Sequence, residues 1–365
     1  MTAPDANASD YDPTAPEPDA GHHAERALLG ALLLDPAALD RSDTLTPEHF
    51  AHHAHRALFA AIRRLIPPAA VLHAREPVWI NAVLADASEH IRGITPSHLH
   101  MMVEECPEPR HAPAYAQIVR AGHVRRSLRT HAEQLTRAAS DPEHPSPVTQ
   151  VIRRCSLLTD HLTELTSQFG PQQGSPPGTN VTDPPKDISP EALDDERALL
   201  AGAVHHPQSL RGLGWLHPAD FAHPLHGQLY ARLVSLSRRG DTIDPITAVW
   251  EAQQNGLLGD ELSSKDLLDL LRNPVGSPEY WAEHVLQQAL LATARTAAHR
   301  IGAYTDDPAT TPGQLISGTR RALAEVQAIH GRWQRARRPP LARSARTVPE
   351  PARPSRPPPS PRALR

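Results

Sequence analysis

Only two lysines occur among the 365 residues, Lys186 after Pro185 and Lys265 after Ser264. A nucleotide-hydrolysing motor needs a Gly-x4-Gly-Lys-Ser/Thr loop, whose lysine and backbone amides hold the phosphates. Neither lysine follows a glycine, so these residues contain no such loop, and no catalytic residues are expected. Cysteine is as scarce: Cys106 and Cys155 stand alone, outside any Cys-x-x-Cys spacing, which leaves no basis for a disulfide framework or a thiolate metal site. The longest apolar stretch, AERALLGALLL at 24–34, is far shorter than the roughly 20 residues a bilayer span requires, and no apolar leader follows Met1. The expectation is a soluble cytoplasmic protein without membrane contact and able to associate with the nucleoid.

The net charge of −4 hides an asymmetry. Residues 1–20 carry Asp5, Asp10, Asp12, Glu17 and Asp19 with no Lys or Arg, whereas residues 335–365 carry nine Arg against the single acid Glu350. Of the 23 histidines, His49, His52, His53 and His55 cluster at near-helical spacing. Zinc requires three or four converging ligands with outer support, so the expectation is a buried His55 with exposed neighbours, no metal and no cofactor. The adjacent carboxylates Glu104–Glu105, Asp194–Asp195 and Asp306–Asp307 point apart on a helix or lie near turns, which suits capping better than acid–base chemistry. No Gly-x-Ser-x-Gly elbow occurs.

What the chain does contain is a repeat. Residues 24–65 align without a gap onto residues 195–236, with 16 identities in 42 positions at an offset of 171. Leu28/Leu199, Leu29/Leu200, Phe50/Phe221, Leu58/Leu229, Phe59/Tyr230 and Leu65/Leu236 recur at helical spacing. Pro36/Pro207 and Pro47/Pro218 break both copies at the same places, since proline is tolerated in the first turn of a helix but not inside one. Beyond residue 65 the order persists: short helices near 78–87 and 244–255, others near 96–105 and 263–272, then long helices near 112–139 and 279–304. Turns rich in Asp and Pro follow, and final helices run near 148–168 and 312–333, giving each copy a C-terminal helical hairpin.

The resulting fold class is all-α: two tandem orthogonal helical bundles, each with a C-terminal hairpin, joined by a flexible linker. The expected division is an acidic disordered tail at 1–20, copy one at 21–169, a Pro/Gly-rich linker at 170–190, copy two at 191–335 and a disordered Arg/Pro-rich tail at 336–365.

The motif AERALLGALLLDP followed by Phe-x4-His-x2-Leu-Phe resembles the N-terminal domain of DnaB-type replicative helicases. Copy one matches at Glu25, Leu29, Gly30, Phe50, His55, Leu58 and Phe59; copy two at Glu196, Leu200, Asp220, Phe221, His226, Leu229 and Tyr230. Copy two also keeps GDTIDPITAVWEAQQNGLL, similar to the family's Gly-x-x-Ile-Asp stretch, where copy one reads IPPAAVLHAREPVWINAVL. The family's Tyr-Ala-x-Ile-Val segment is matched by Tyr115 to Val119 and more loosely by Trp281 to Val285. In that family the domain mediates ring assembly and contacts with primase or a loader.

The resemblance therefore implies a non-catalytic assembly protein of DNA replication, with a replicative helicase, primase or helicase loader as partner and self-association through the hairpins. Candidate interface residues are Leu315, Ile316, Leu323 and Val326, which ordinary hairpin packing would equally bury. The alternative is a DNA-binding accessory or regulatory protein whose basic end, including Arg335, Arg337, Arg338, Arg343 and Arg346, contacts phosphates with strong salt dependence. That end has no aromatic residues to stack on bases.

Overall fold

The computed structural model describes residues 19–42, 45–67, 78–141, 144–169, 177–178, 181–185, 188–259 and 262–337. The expected acidic tail up to residue 18 and the basic residues Arg338, Arg343 and Arg346 lie outside them. Among the described residues there are twelve α-helices and no strand, only an isolated bridge between Gly259 and Leu262. The first six are α1 (Ala20–Leu34), α2 (His53–Arg64), α3 (Val78–His90), α4 (Pro96–Glu104), α5 (Ala112–Ser140) and α6 (Pro147–Phe169). Their counterparts are α7 (Pro190–His205), α8 (Pro224–Arg239), α9 (Pro245–Gln254), α10 (Ser264–Leu271), α11 (Pro278–Asp306) and α12 (Pro312–Arg337). Short 3-10 turns at Pro36–Ser42, Pro47–His49, Pro207–Arg211 and Pro218–Asp220 join the first two helices of each copy.

Seven of the twelve helices begin on proline. At that position the missing N–H was never an intrahelical donor, and the fixed φ suits the first turn. Side chains cap several of the same starts: Ser189 accepts from the Ala192 amide, and Asp244 accepts from the Ile246 and Thr247 amides. α8 ends at Gly240, whose φ of 78° closes the helix in the left-handed conformation that glycine adopts without penalty. The proline-rich composition thus segments the chain into helices rather than preventing them.

In each copy the first four helices form a head and the last two a hairpin. The head of copy one has its own core, built around Leu28, Leu32, Phe50, Phe59, Trp79 and Leu99. The other core does not stop at the repeat boundary. It joins Leu128, Leu135, Val151, Leu158 and Leu162 of the first hairpin to Leu290, Ile301, Leu315 and Leu323 of the second, and continues into the head of copy two. Two described positions of the stretch read as a flexible linker contact the second hairpin. Arg300 grips the Asp183 carboxylate with two bonds of 2.6 Å, and Pro177 packs beside Gly318. A bidentate guanidinium–carboxylate pair fixes orientation as well as distance, which a reading based on Pro, Gly and Ser content could not supply.

Close helix approach fixes the first head. A Cβ on Gly30 would lie 2.0 Å from the Met102 carbonyl oxygen of α4, whereas one on Gly302 of α11 meets nothing within 4 Å. Gly30→Ala is expected to destabilise the first head by about 1–3 kcal/mol, the usual cost of overpacking. Gly302→Ala should be neutral or stabilising by up to ~1 kcal/mol through helix propensity. Denaturant unfolding followed by helicity checks both; equal effects would contradict the close contact.

Candidate functional site: the paired hairpins and their junctions with the heads

Each head is locked by the same buried constellation. Glu25 of α1 accepts from the Ala51 amide at 2.5 Å and the His52 amide at 3.4 Å, and lies 2.8 Å from His55 Nδ1. Glu196 of α7 accepts from the amides of Ala222 and His223 and lies 2.7 Å from His226 Nδ1. Both carboxylates are 1–2% exposed. One glutamate therefore satisfies the amides at the start of the second helix and orients the first histidine partner it meets in that helix. Burial alone would push Glu25 up, but the His55 hydrogen bond and the Ala51 and His52 amides hold it below the usual carboxylate range. This pairing across 30 residues is absent from a reading that treats His55 as a packing residue; its only sequence signal is that Glu and His recur together in both copies.

Around this shared lock the copies differ. In copy two Asp220 accepts from the His217 amide, and Arg332 of α12 holds its two oxygens at 2.6 and 2.7 Å, tying head to hairpin. Copy one has His49 at that position, and Arg126 of α5 donates to its carbonyl at 2.6 Å. The His49 and His123 rings lie 4.6 Å apart, and His131 and His161 pair 5.0 Å apart between α5 and α6. His161 Nε2 is 2.9 Å from Ser127 Oγ. Burial, then the positive charge of neighbouring His49, Arg126 and His161, pushes His123 down to about 4. At the matching register α11 carries Ala289 and Ala297.

The hairpins face each other. Arg129 of α5 donates to the Thr305 carbonyl at 3.3 Å, and Arg295 of α11 donates to the Ala139 carbonyl at 3.0 Å. Counted from the start of their 29-residue helices, the two donors are at the same position and so are the two acceptors. Such reciprocal contacts mark a two-fold relation, here within one chain, and they require α5 and α11 to run antiparallel. The second pair of helices follows suit: Arg320 bonds Thr166 and Gln327 bonds Thr159, so α12 and α6 are antiparallel as well. Other seam contacts have no counterpart across the two-fold, and the most extensive is that of Arg125. Arg125 spreads its guanidinium over four carbonyls of the second hairpin turn, those of Thr305, Asp307, Pro308 and Thr310, at 2.6–3.4 Å.

Leu315, Ile316, Leu323 and Val326 lie in this shared core, 1–7% exposed. Their contacts among the described residues are inside the chain. Arg335 and Arg337 are exposed near the end of α12, where the Arg337 guanidinium sits 5.0 Å from the Trp333 ring centroid. His52 and His53 are exposed, while His49 and His55 are buried. Among the described residues no three His, Cys, Asp or Glu side chains converge as a metal site, and no helix is long and apolar enough to cross a membrane.

The sequence model of the DnaB-like helicase N terminal domain matches residues 17–121 and again 188–287, together more than half of the chain. The chain belongs to that family. Both matches cover a head and the beginning of its long helix, α5 or α11, so the duplication is of this domain. The Replicative DNA helicase DnaB of Geobacillus stearothermophilus is 38% identical over 114 residues, which is 29% of this chain and 23% of that protein. The chain thus spans less than a quarter of the length of this curated relative. A link to replication helicases is established at the level of the domain, and a catalytic helicase role is not.

The histidine asymmetry gives copy one an acid-sensitive junction. His123 is neutral in the folded chain down to about pH 4, whereas in the unfolded chain it takes up a proton near its ordinary 6.5. Stability is then complete above pH 6.5 and lost as the pH falls toward 4. His123→Ala, which reproduces the residue of copy two, should flatten unfolding free energy against pH between 6.5 and 4.5. A slope unchanged from the parent would assign the acid sensitivity elsewhere.

Proposed function

We propose that this protein is a non-catalytic assembly factor linked to DNA replication, whose two copies are the domains of expected residues 21–169 and 191–335. It binds a replicative helicase, a primase or a helicase loader. The observation that carries this reading is the internal pairing of the hairpins through Arg129 with Thr305 and Arg295 with Ala139. A contact that separate chains would make only at sufficient concentration is made here between tethered partners, for which effective concentrations reach the millimolar range with short linkers. The protein would thus present two oriented heads on a fixed frame. Leu315, Ile316, Leu323 and Val326 serve the frame in this reading, and partner contacts fall on the heads, where Ile246 and Trp250 stand 67% and 61% exposed on one face of α9.

A second reading, DNA binding through the basic end, is favoured by the exposure of Arg335 and Arg337. Loss of salt-sensitive DNA affinity on removing residues 336–365 together with Arg335→Ala would support it, and unchanged affinity would remove it. For the leading reading, affinity capture of the tagged full chain from its native host should recover replicative helicase, primase or loader. Trp250→Ala should lower that recovery without lowering helicity. Recovery of none of the three would overturn the assignment.

A further inference from the structure

Copy one fills the junction of its head and hairpin with side chains of its own long helix. Arg126 of α5 donates to the His49 carbonyl at 2.6 Å and lies 3.8 Å from the Glu25 carboxylate, while the His123 ring packs 4.6 Å from that of His49. At the same positions along α11, copy two has Ala292 and Ala289, and Gln288 stands where copy one has Gly122. The two alanines leave a cavity of about 680 Å³ between the second head and helices α11 and α12, with Glu196 and Asp220 in its wall. Half-buried Gln288, Ala292, Thr293 and Thr296 keep its α11 side accessible. Most charges around it are matched: Arg332 takes the Asp220 carboxylate and the Trp215 carbonyl, Arg300 spans Asp183 and Glu325, and Arg295 donates to Ala139. Two groups lack the partner that copy one provides. Glu196 has His226 and two amides but, among the described residues, no guanidinium in ion-pair contact. The Asp220 carbonyl, counterpart of the His49 carbonyl, has no donor among the described residues, and the Gln288 amide has no hydrogen bond there.

A guanidinium entering this cavity would supply what Ala292 lacks. It brings donors for the Asp220 carbonyl and the Gln288 amide oxygen, a positive charge toward Glu196, and an aliphatic stem to lie on Ala289 and Ala292. The chain carries a source of guanidinium at the rim. Arg335 of α12 lines the cavity and α12 ends at Arg337, so residues 338–365 leave from its edge. They hold seven Arg, no Lys and the single acid Glu350. Eight residues separate Arg335 from Arg343, a reach of up to about 27 Å, and a tether this short gives effective concentrations in the millimolar range. An arginine on another molecule would have to match that advantage by affinity alone.

We propose that the cavity between the second head and its hairpin is a docking site for an arginine of the chain's own basic end, Arg338, Arg343 or Arg346, which takes in copy two the place that Arg126 takes in copy one. The contact latches the basic end onto the second head. It is made within one chain, is distinct from the hairpin pairing, and stands apart from both readings of function given above.

The test places a photoreactive phenylalanine analogue at Ala219, an exposed residue of the cavity wall on the head side, in the full chain. Isotopically heavy and light protein are mixed before irradiation, and crosslinked peptides are identified by mass. Crosslinks to residues 338–346 within single molecules are expected. They should fall by about tenfold or more in the Arg338→Gln/Arg343→Gln/Arg346→Gln variant, which removes the guanidinium donors. The same loss is expected in the Gln288→Gly/Ala292→Arg variant, which fills the cavity with the residues of copy one. Helicity reports whether the second variant folds, and the first changes none of the described residues. Absence of crosslinks to residues 338–346, crosslinks that persist in the tail variant or in the folded filled variant, or crosslinks joining heavy to light chains would each overturn the proposal.

Discussion

The packing of two amphipathic hairpins against each other is the constraint on which most of this structure rests. Each hairpin carries more apolar surface than its own two helices can cover: Leu128, Leu135, Leu158 and Leu162 in the first, Leu290, Ile301, Leu315 and Leu323 in the second, all nearly inaccessible. Full burial of one such side chain contributes about 1.5–3 kcal/mol. Separated hairpins would therefore expose a long apolar stripe, and closing them on each other removes it. The polar contacts at the seam do another job. Arg129, Arg295 and Arg125 donate to carbonyls at helix C-terminal ends, which have no intrahelical donors and carry partial negative charge. Packing supplies the affinity, and the guanidinium contacts set the register.

The two copies show which parts of the domain tolerate change. The carboxylate that reaches from the first helix to the start of the second keeps all three of its contacts in both copies, because removing it would leave part-buried amides and a buried imidazole without that acceptor. The attachment of head to hairpin is freer. Copy two uses a bidentate Arg332–Asp220 pair, while copy one uses Arg126 on a backbone carbonyl and fills the remaining space with imidazole rings. The imidazole version leaves His49 Nε2 buried without a hydrogen-bond partner among the described residues, and it is neutral only above the pH at which a histidine charges. The duplicated domain has thus acquired two different electrostatic joints on one scaffold.

Much of this fold is legible in the chain because local rules and tertiary demand agree. Proline starts, Asp- and Pro-containing turns and the repeat of Leu and Phe positions place α5 at Ala112–Ser140 and α11 at Pro278–Asp306, within two residues of the ends expected from pattern alone. What pattern cannot reveal is partnership across distance. Glu25 and His55 are 30 residues apart, Asp183 and Arg300 are 117, and Arg125 and Thr305 are 180. Each side chain looks like a surface charge or a helix cap until the fold brings its partner up. The candidate interface residues illustrate the same gap: spacing marks Leu315 and Leu323 as apolar contact positions, but only the fold shows that the contacting surface belongs to the same chain.

That internal closure bears on what such a molecule can do. A surface satisfied within the chain is at a fixed effective concentration and does not respond to how many copies are present. Any association with other proteins must then use surfaces the hairpins leave outside, and these are unequal in the two halves: an exposed Ile246–Trp250 face in one head, and a histidine-lined joint in the other. Two identical heads on a two-fold frame would bind two identical partners alike. Two divergent heads on the same frame can bind different partners, or the same partner with different strength, while keeping them at a set distance. The seam and the heads therefore do different work: the first ties the two hairpins into one core, and the second gives each end its own chemistry.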